Sequence, residues 1–305
     1  MTPHTETKRD AVPRACDLHM HTFYSDGTLS PTELVRAAHK VGLTHISLTD
    51  HDITDGIDEA AEEGKKLGVE VVAGVELSAM VRNANGVESE MHILGYFLNY
   101  RNAHFQETLG MFRKTRLKRA EHMIVKLGHL GLKLSPDKIR DHANGKAVGR
   151  PHIARALLEA GYVASFEEAF HKYLKEGRPA YVPKALLTPV ECVQLIRRVG
   201  GLAVVAHPQF GGPRQKKGWE SLVRAGLNGI EAYHSQQPPG QAKSYERIAQ
   251  EFGLLVTGGS DFHSFENGPK GALGDVRLPY SCLEALRTHK DSHEKRTADI
   301  LQHAH

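Results

Sequence analysis

Short apolar runs rich in β-branched residues recur along the chain and alternate with stretches of helical period, the pattern of βα units wrapped around a parallel sheet. Seven runs read as strands: Ala15–Met20, His45–Thr49, Val69–Leu77, Met91–Phe97, Leu202–Ala206, Gly229–Tyr233 and Leu254–Thr257. Helical patterns occupy most of the gaps, at Ser30–Val41, Gly56–Leu67, Thr188–Val199 and Gly240–Phe252. Ser30, followed by Pro31 and Glu33, has the spacing of a capping box with proline at the first helical position. Between the fourth and fifth runs, residues 104–184 keep helical period without a convincing strand, and from His289 onward the chain reads as a frayed polar helix. The pattern predicts a distorted seven-stranded (β/α)7 barrel from residues 14–103 and 185–288, interrupted by a helical insertion over 104–184.

Composition narrows the class. The chain has 305 residues, 40% of them hydrophobic, and 39 Lys and Arg against 36 Asp and Glu, ordinary values for a protein that buries its own core. No stretch approaches the ~18 apolar residues of a membrane span, and the first residues are polar without an apolar leader core. Cys16, Cys192 and Cys282 are odd in number and form no CxxC pair. They read as small buried apolar side chains in a reducing cytoplasm rather than a disulfide framework. Charge is segregated: residues 104–184 carry 16 Lys and Arg against 8 Asp and Glu, a net +8, which leaves the rest of the chain at −5. That predicts a basic lid that attracts anions. Histidine is the outlier, at 20 residues.

The histidines and carboxylates fall at the predicted strand ends. The first strand ends in Asp17-Leu18-His19-Met20-His21, with Asp26 in the next turn; the second in Asp50-His51-Asp52. Glu76, His92, His207, then Glu231 with His234, and finally Asp261 with His263 occupy the other five. Singly, each has an ordinary reading: His92 or His207 as a packed core histidine, Asp50, Asp52 or Asp261 as a helix cap. His19 and His21, two apart on a strand, point to the same side and can share one ion. In a closed parallel barrel all seven ends converge on one face, where barrel enzymes build their sites, so the joint pattern predicts a metal centre there.

These motifs resemble those of the PHP (polymerase and histidinol phosphatase) metallophosphoesterases: DLHMHT, SDG, LTDHD, the glutamate at Glu76, His92, AHP at His207, and SDFH at Asp261 to His263. The resemblance implies a PHP-type barrel and three divalent ions, Mn²⁺ favoured, with Zn²⁺ or Fe²⁺ as alternatives. It assigns His19, His21 and Asp261 to one ion and makes Glu76 a bridge to a second, held also by His92 and His207. Asp26, His51 and His263 take the third. A hydroxide held between two ions would attack phosphorus in line. Asp17 and Asp50 are expected to orient the ligating histidines, and Glu76, Asp26 and His234 to serve catalysis, His234 as general acid or substrate contact. GRPHIARAL and AYVPK, in the insertion, resemble the branch acting on nucleoside 3′,5′-bisphosphates and the 5′ ends of short RNA. That makes Arg150, His152 and Lys184 candidates for holding phosphate, with Pro151 equally suited to a plain helix start. Phe210 and Tyr233 could hold a base. The expected partner is therefore a nucleotide or short 5′-phosphorylated RNA, with no membrane and no protein partner implied. Two alternatives compete. A metal-dependent amidohydrolase would commonly bridge its metals through a lysine carbamate, but no lysine stands at a predicted strand end. A non-catalytic PHP-like module binding nucleic acid through the insertion would be expected to have lost ligands, and no motif here is degraded.

Overall fold

The apolar runs pair into one sheet of eight strands, ordered β7-β6-β5-β4-β3-β2-β1-β8. These are β1 (Ala15–Met20), β2 (His45–Leu48), β3 (Glu70–Arg82), β4 (Glu88–Tyr96), β5 (Leu202–Val205), β6 (Gly229–His234), β7 (Leu255–Gly259) and β8 (Leu278–Pro279). The structure, a computed structural model, describes residues 15–82, 88–137, 139, 147–183, 187–265 and 271–302. Backbone bonds from Asp261 N to His19 O and from His21 N to Phe262 O, both 2.9 Å, nearly close the sheet into a barrel. Gly259 makes that seam achievable, because a Cβ there would sit 2.4 Å from the backbone nitrogen of His19.

The expectation of an all-parallel barrel needs correction. β3 and β4 pair antiparallel, as do β4 and β5, and the short β8 adds an antiparallel edge to β1. Only five residues separate β3 from β4, too few for the crossover that a parallel pair requires. β4 therefore starts at the mouth of the barrel, and His92 reaches the mouth from within β4, not from its end. Glu76 likewise lies mid-strand, since β3 runs on for six residues beyond it.

Helices α1 (Pro31–Lys40), α2 (Ile57–Leu67), α5 (Pro189–Arg198), α6 (Lys216–Ala225) and α7 (Gln241–Phe252) cover the outer face of the sheet. The capping box of α1 forms as expected, with Ser30 Oγ accepting from Glu33 N and Glu33 Oε2 from Ser30 N. Val75 and Leu77 of β3 pack against Val193 and Ile196 of α5. On the inside, Leu18, Val72, Leu94, Tyr96 and Val204 form an apolar floor, sealed by Leu283 and Leu286 of α8 (Tyr280–Gln302). The last helix thus starts at Tyr280 as part of the core and continues through the polar stretch from His289. Between β4 and α5 every described element is helical: α3 (Ala103–His129), α4 (Arg150–Glu159) and a turn at Phe166–Ala169 continuing into a π-helical stretch, Phe170–Leu174. Met123, Leu127, Ile153, Leu157 and Leu174 give these helices a cluster of their own. Cys16 and Cys192 are buried and Cys282 is half-buried, all with free thiols. Among the described residues no helix is long and apolar enough to cross a membrane.

Candidate metal centre

Two β-bulges aim the site. In β1 the pairing moves from Asp17↔Ile46 to Met20↔Leu48, three residues against two. The extra residue lets Leu18 belong to the apolar floor while His19 and His21 turn to the polar mouth above it. In β6 the pairing moves from Glu231↔Thr257 to Tyr233↔Gly258. Glu231 and His234, three apart and on opposite faces of a regular strand, are thereby both directed at the centre.

Glu76 is the hub. Its Oε1 lies 2.7 Å from His92 Nδ1 and 2.9 Å from His207 Nε2. Its Oε2 lies 3.2 Å from His19 Nε2, 3.2 Å from His21 Nε2 and 3.1 Å from His51 Nδ1. Asp261 Oδ1 adds approaches of 3.3 Å to His19 and 3.1 Å to His21. Asp26 meets His263 Nε2 at 3.2 Å and His51 Nε2 at 3.8 Å. Among the described residues three sets have their ligand atoms close enough to hold an ion: His19, His21, Glu76 and Asp261; His51, Glu76 and His92; and His21, Asp26, His51 and His263.

Neighbouring groups fix which ring nitrogen faces inward. His263 Nδ1 donates to the Asp261 carbonyl at 2.8 Å, which leaves Nε2 for the centre. Glu231 Oε1, 2.9 Å from His19 Nδ1, does the same for His19. Ser25 Oγ donates to Asp50 Oδ1 at 2.6 Å and so accepts from His21 Nδ1 at 3.3 Å, making Asp50 the orienter of His21 as expected. Asp17 instead accepts from the backbone nitrogens of Ser260 and His19, so it holds the seam rather than a ring.

The charges compensate one another. Burial disfavours ionisation of Glu76, yet His51, His92 and His19 hold its pKa well below the usual carboxylate range. Burial likewise opposes charge on His21, but Asp261 and Glu76 push its pKa to about 10; His92, beside Glu76 and Glu90, rises to about 9. His21 Nε2, His51 Nδ1 and Asp26 Oδ1 nonetheless stay buried with charged neighbours but no well-aligned hydrogen bond. Each unmet group costs about 1–3 kcal/mol, and divalent cations are the partners that imidazole nitrogens and carboxylate oxygens fit together.

A family model for the PHP domain matches residues 17–175. The chain belongs to the PHP family. A 5′-3′ exoribonuclease of Haemophilus influenzae is 36% identical over 252 residues, covering 81% of this chain and 89% of that protein. A 3′,5′-nucleoside bisphosphate phosphatase of Chromobacterium violaceum is 31% identical over 275 residues, covering 89% and 95%. A solved structure from Bifidobacterium adolescentis, named by inference a metal-dependent phosphoesterase, aligns with a TM-score of 0.80 at 30% identity over 90% of this chain and 95% of that one. A Chromobacterium violaceum structure titled an amidohydrolase, with sulfate bound, aligns at 0.79 and 30% identity over 89% and 96%.

The remaining predicted residues that the structure describes lie outside the three donor sets of this PHP barrel. His234 Nδ1 accepts from Gln236 N at 3.1 Å, so Nε2 carries a proton and faces Asp261 Oδ2 at 3.4 Å. Arg150, at the start of α4, donates to Glu90 Oε2 at 3.1 Å. His152 is buried and its Nδ1 accepts from Gly149 N at 3.0 Å, so that nitrogen caps α4 and is not free for phosphate. Lys184 lies outside the described residues. Phe210 is exposed, its ring 5.6 Å from His207 and 5.8 Å from His234. Tyr233 turns away to Glu246 of α7 and offers the mouth no surface for a base. Sequence reasoning counted Glu231 among the strand-end groups of the metal centre without assigning it to an ion, and gave no role to Glu90, Arg116 or Arg119. The last three carry no local signal.

Proposed function

We propose that this PHP protein is a divalent-metal-dependent phosphoesterase that removes the 3′-phosphate of nucleoside 3′,5′-bisphosphates or cleaves short RNA from a 5′-phosphorylated end. The observation that carries the reading is the division of Glu76, with His92 and His207 on one oxygen and His19, His21 and His51 on the other. That is the arrangement a bridging carboxylate needs, and three donor sets around it accord with three ions, Mn²⁺ the favoured metal. Bound ions would supply an activated water and neutralise the phosphoryl oxygens.

The chain's own groups do the rest. Glu76 stays ionised in its ring of imidazoles. His234 holds a proton at Nε2, at the edge of the centre, where a departing oxygen could take it. Arg150 stands half-buried beside Glu90 as a guanidinium that could hold the second phosphate of such a substrate. The reading accords with the names of two relatives, a 5′-3′ exoribonuclease and a 3′,5′-nucleoside bisphosphate phosphatase. The amidohydrolase reading has one structural relative's title in its favour, but Glu76 stands where a lysine carbamate would be required.

Metal analysis of the purified protein, followed by a phosphate-release screen, tests the proposal. The screen covers bisphosphates, mononucleotides, sugar phosphates, 5′-phosphorylated oligoribonucleotides and an amide panel. Release from bisphosphates at a kcat/KM at least tenfold above that for 3′-monophosphates supports it. Amide hydrolysis without phosphate release would overturn it.

A further inference from the structure

Glu90, two residues before His92 on β4, has its two oxygens committed to different parts of the molecule. Oε1 lies 2.8 Å from His92 Nε2. A carboxylate can only accept, so Nε2 carries the proton and Nδ1 is the His92 nitrogen turned to Glu76. Oε2 accepts from Arg150 at 3.1 Å. A second guanidinium, Arg119 of α3, lies within electrostatic range of the same carboxylate and of Arg150. Its side chain is buried, Nε donates to Val182 O at 2.6 Å, and one terminal nitrogen has no hydrogen-bond partner. Burial and the nearby charge of Arg150 both disfavour its cation. Arginine does not discharge in proteins, so a further anion at this place would stabilise both guanidiniums. One carboxylate thus bonds Arg150 and a ring of the metal centre at once, and its charge also acts on Arg119.

We propose that Glu90 is a positioning residue that couples an anion anchor, formed by Arg150 and Arg119, to the metal centre. One oxygen sets the His92 ring; the other occupies Arg150 until a substrate phosphate displaces it. This rests on the reading that Arg150 anchors a phosphate, and it adds Arg119 as a partner and Glu90 as the group the phosphate must replace. The arrangement selects for dianionic phosphate. A neutral or singly charged group competes poorly with a carboxylate already in place, whereas a phosphate can bond both guanidiniums bidentately.

The test uses two variants and two binding readouts, neither of which needs turnover. Glu90→Gln keeps an oxygen for His92 but loses the charge that competes for Arg150. Adenosine 5′-monophosphate, which has the anchor phosphate and no 3′-phosphate, should bind this variant at least threefold tighter by calorimetry, and Arg119→Gln should bind it at least fivefold more weakly than wild type. Glu90→Leu loses the hold on His92 as well. Its Mn²⁺ affinity should fall about tenfold or more, with Glu90→Gln close to wild type. Unchanged nucleotide affinity in Glu90→Gln, no measurable nucleotide binding by any form, or unchanged Mn²⁺ affinity in Glu90→Leu would overturn the coupling. A wild-type enzyme with no preference for bisphosphates would instead overturn the proposed substrate and leave these binding results standing.

Discussion

Arg116 of α3 donates through Nε to Asp52 at 2.6 Å, and both side chains are buried. The pair joins the helical segment to the strand that carries Glu76. Arg116 also reaches Ser78 Oγ at 2.8 Å, Asp52 accepts from Ser78 N at 2.9 Å, and Asp52 N donates to Glu76 O at 3.0 Å. Asp52 accepts a φ of 56° to do this, a conformation that ordinary side chains avoid.

Removing one partner of such a pair strands the other charge, which costs about 3–5 kcal/mol. Arg116→Met should therefore unfold several degrees below wild type, and Arg116→Met combined with Asp52→Asn should recover part of the loss. Thermal melts of the three proteins decide this. A single mutant within about 0.5 kcal/mol of wild type would show that the pair contributes only shape.

Glu76→Gln should lower bound metal and cut turnover more than a hundredfold, because an amide offers one acceptor oxygen where the site needs two anionic ones. Metal content by emission spectroscopy, read beside the rate, separates loss of ions from loss of chemistry. Full metal with a wild-type rate would make Glu76 structural.

Glu231 holds His19 Nδ1 with one oxygen and accepts from His207 N at 2.6 Å with the other. Glu231→Ala should weaken metal binding by about 10–100-fold although the residue lies behind the ligands. Mn²⁺ titration followed by paramagnetic resonance would report it, and an unchanged affinity would remove Glu231 from the centre's support.

Protons and metals should compete, with opposite signs in the two forms of the protein. In protein stripped by a chelator, His21 and His92 have pKa values raised to about 10 and about 9 by burial overcome by Asp261, Glu76 and Glu90. Their contribution to stability is full below the unfolded value near 6.5 and is lost as pH rises through 9 to 10. Metal-loaded protein should instead lose stability as pH falls below about 6, where protons displace ions from imidazole. Adding Mn²⁺ to stripped protein at pH 8 should release at least the protons of His21 and His92, with His19, raised well above its ordinary value against its burial by Glu231, Asp261 and Glu76, adding to them. Calorimetry in buffers of different ionisation enthalpy measures it. A release of zero would contradict this account.

Arg150→Ala should erase the preference for a 3′,5′-bisphosphate over a 3′-monophosphate while leaving slow hydrolysis of an aryl phosphate. Remote binding energy positions the reacting phosphorus only when the anchor is present. The ratio of kcat/KM values is the measurement, and a wild-type ratio in the mutant would remove Arg150 from that role.

The candidate ligand residues were legible because each motif is local. His19 with His21, Asp50 with His51, and Asp261 with His263 announce themselves within a few positions, and seven such groups at predicted strand ends point to one centre. The hairpin of β3 and β4 had a signal as well, since Asn85-Gly86 lies between them in the sequence, but a repeating βα pattern outweighed it. The direction of Glu231 and His234 was not legible. A bulge is defined by pairing with the neighbouring strand, and a period of two cannot show which residue is the extra one. The same holds for the supports of the site. Arg116 meets Asp52 across 64 positions and Arg150 meets Glu90 across 60. By itself the sequence determined which side chains could bind metal and to which family the chain belongs. Tertiary structure alone decided which carboxylate orients which ring, because those contacts join segments that become neighbours only when the barrel closes and the helices settle on its mouth.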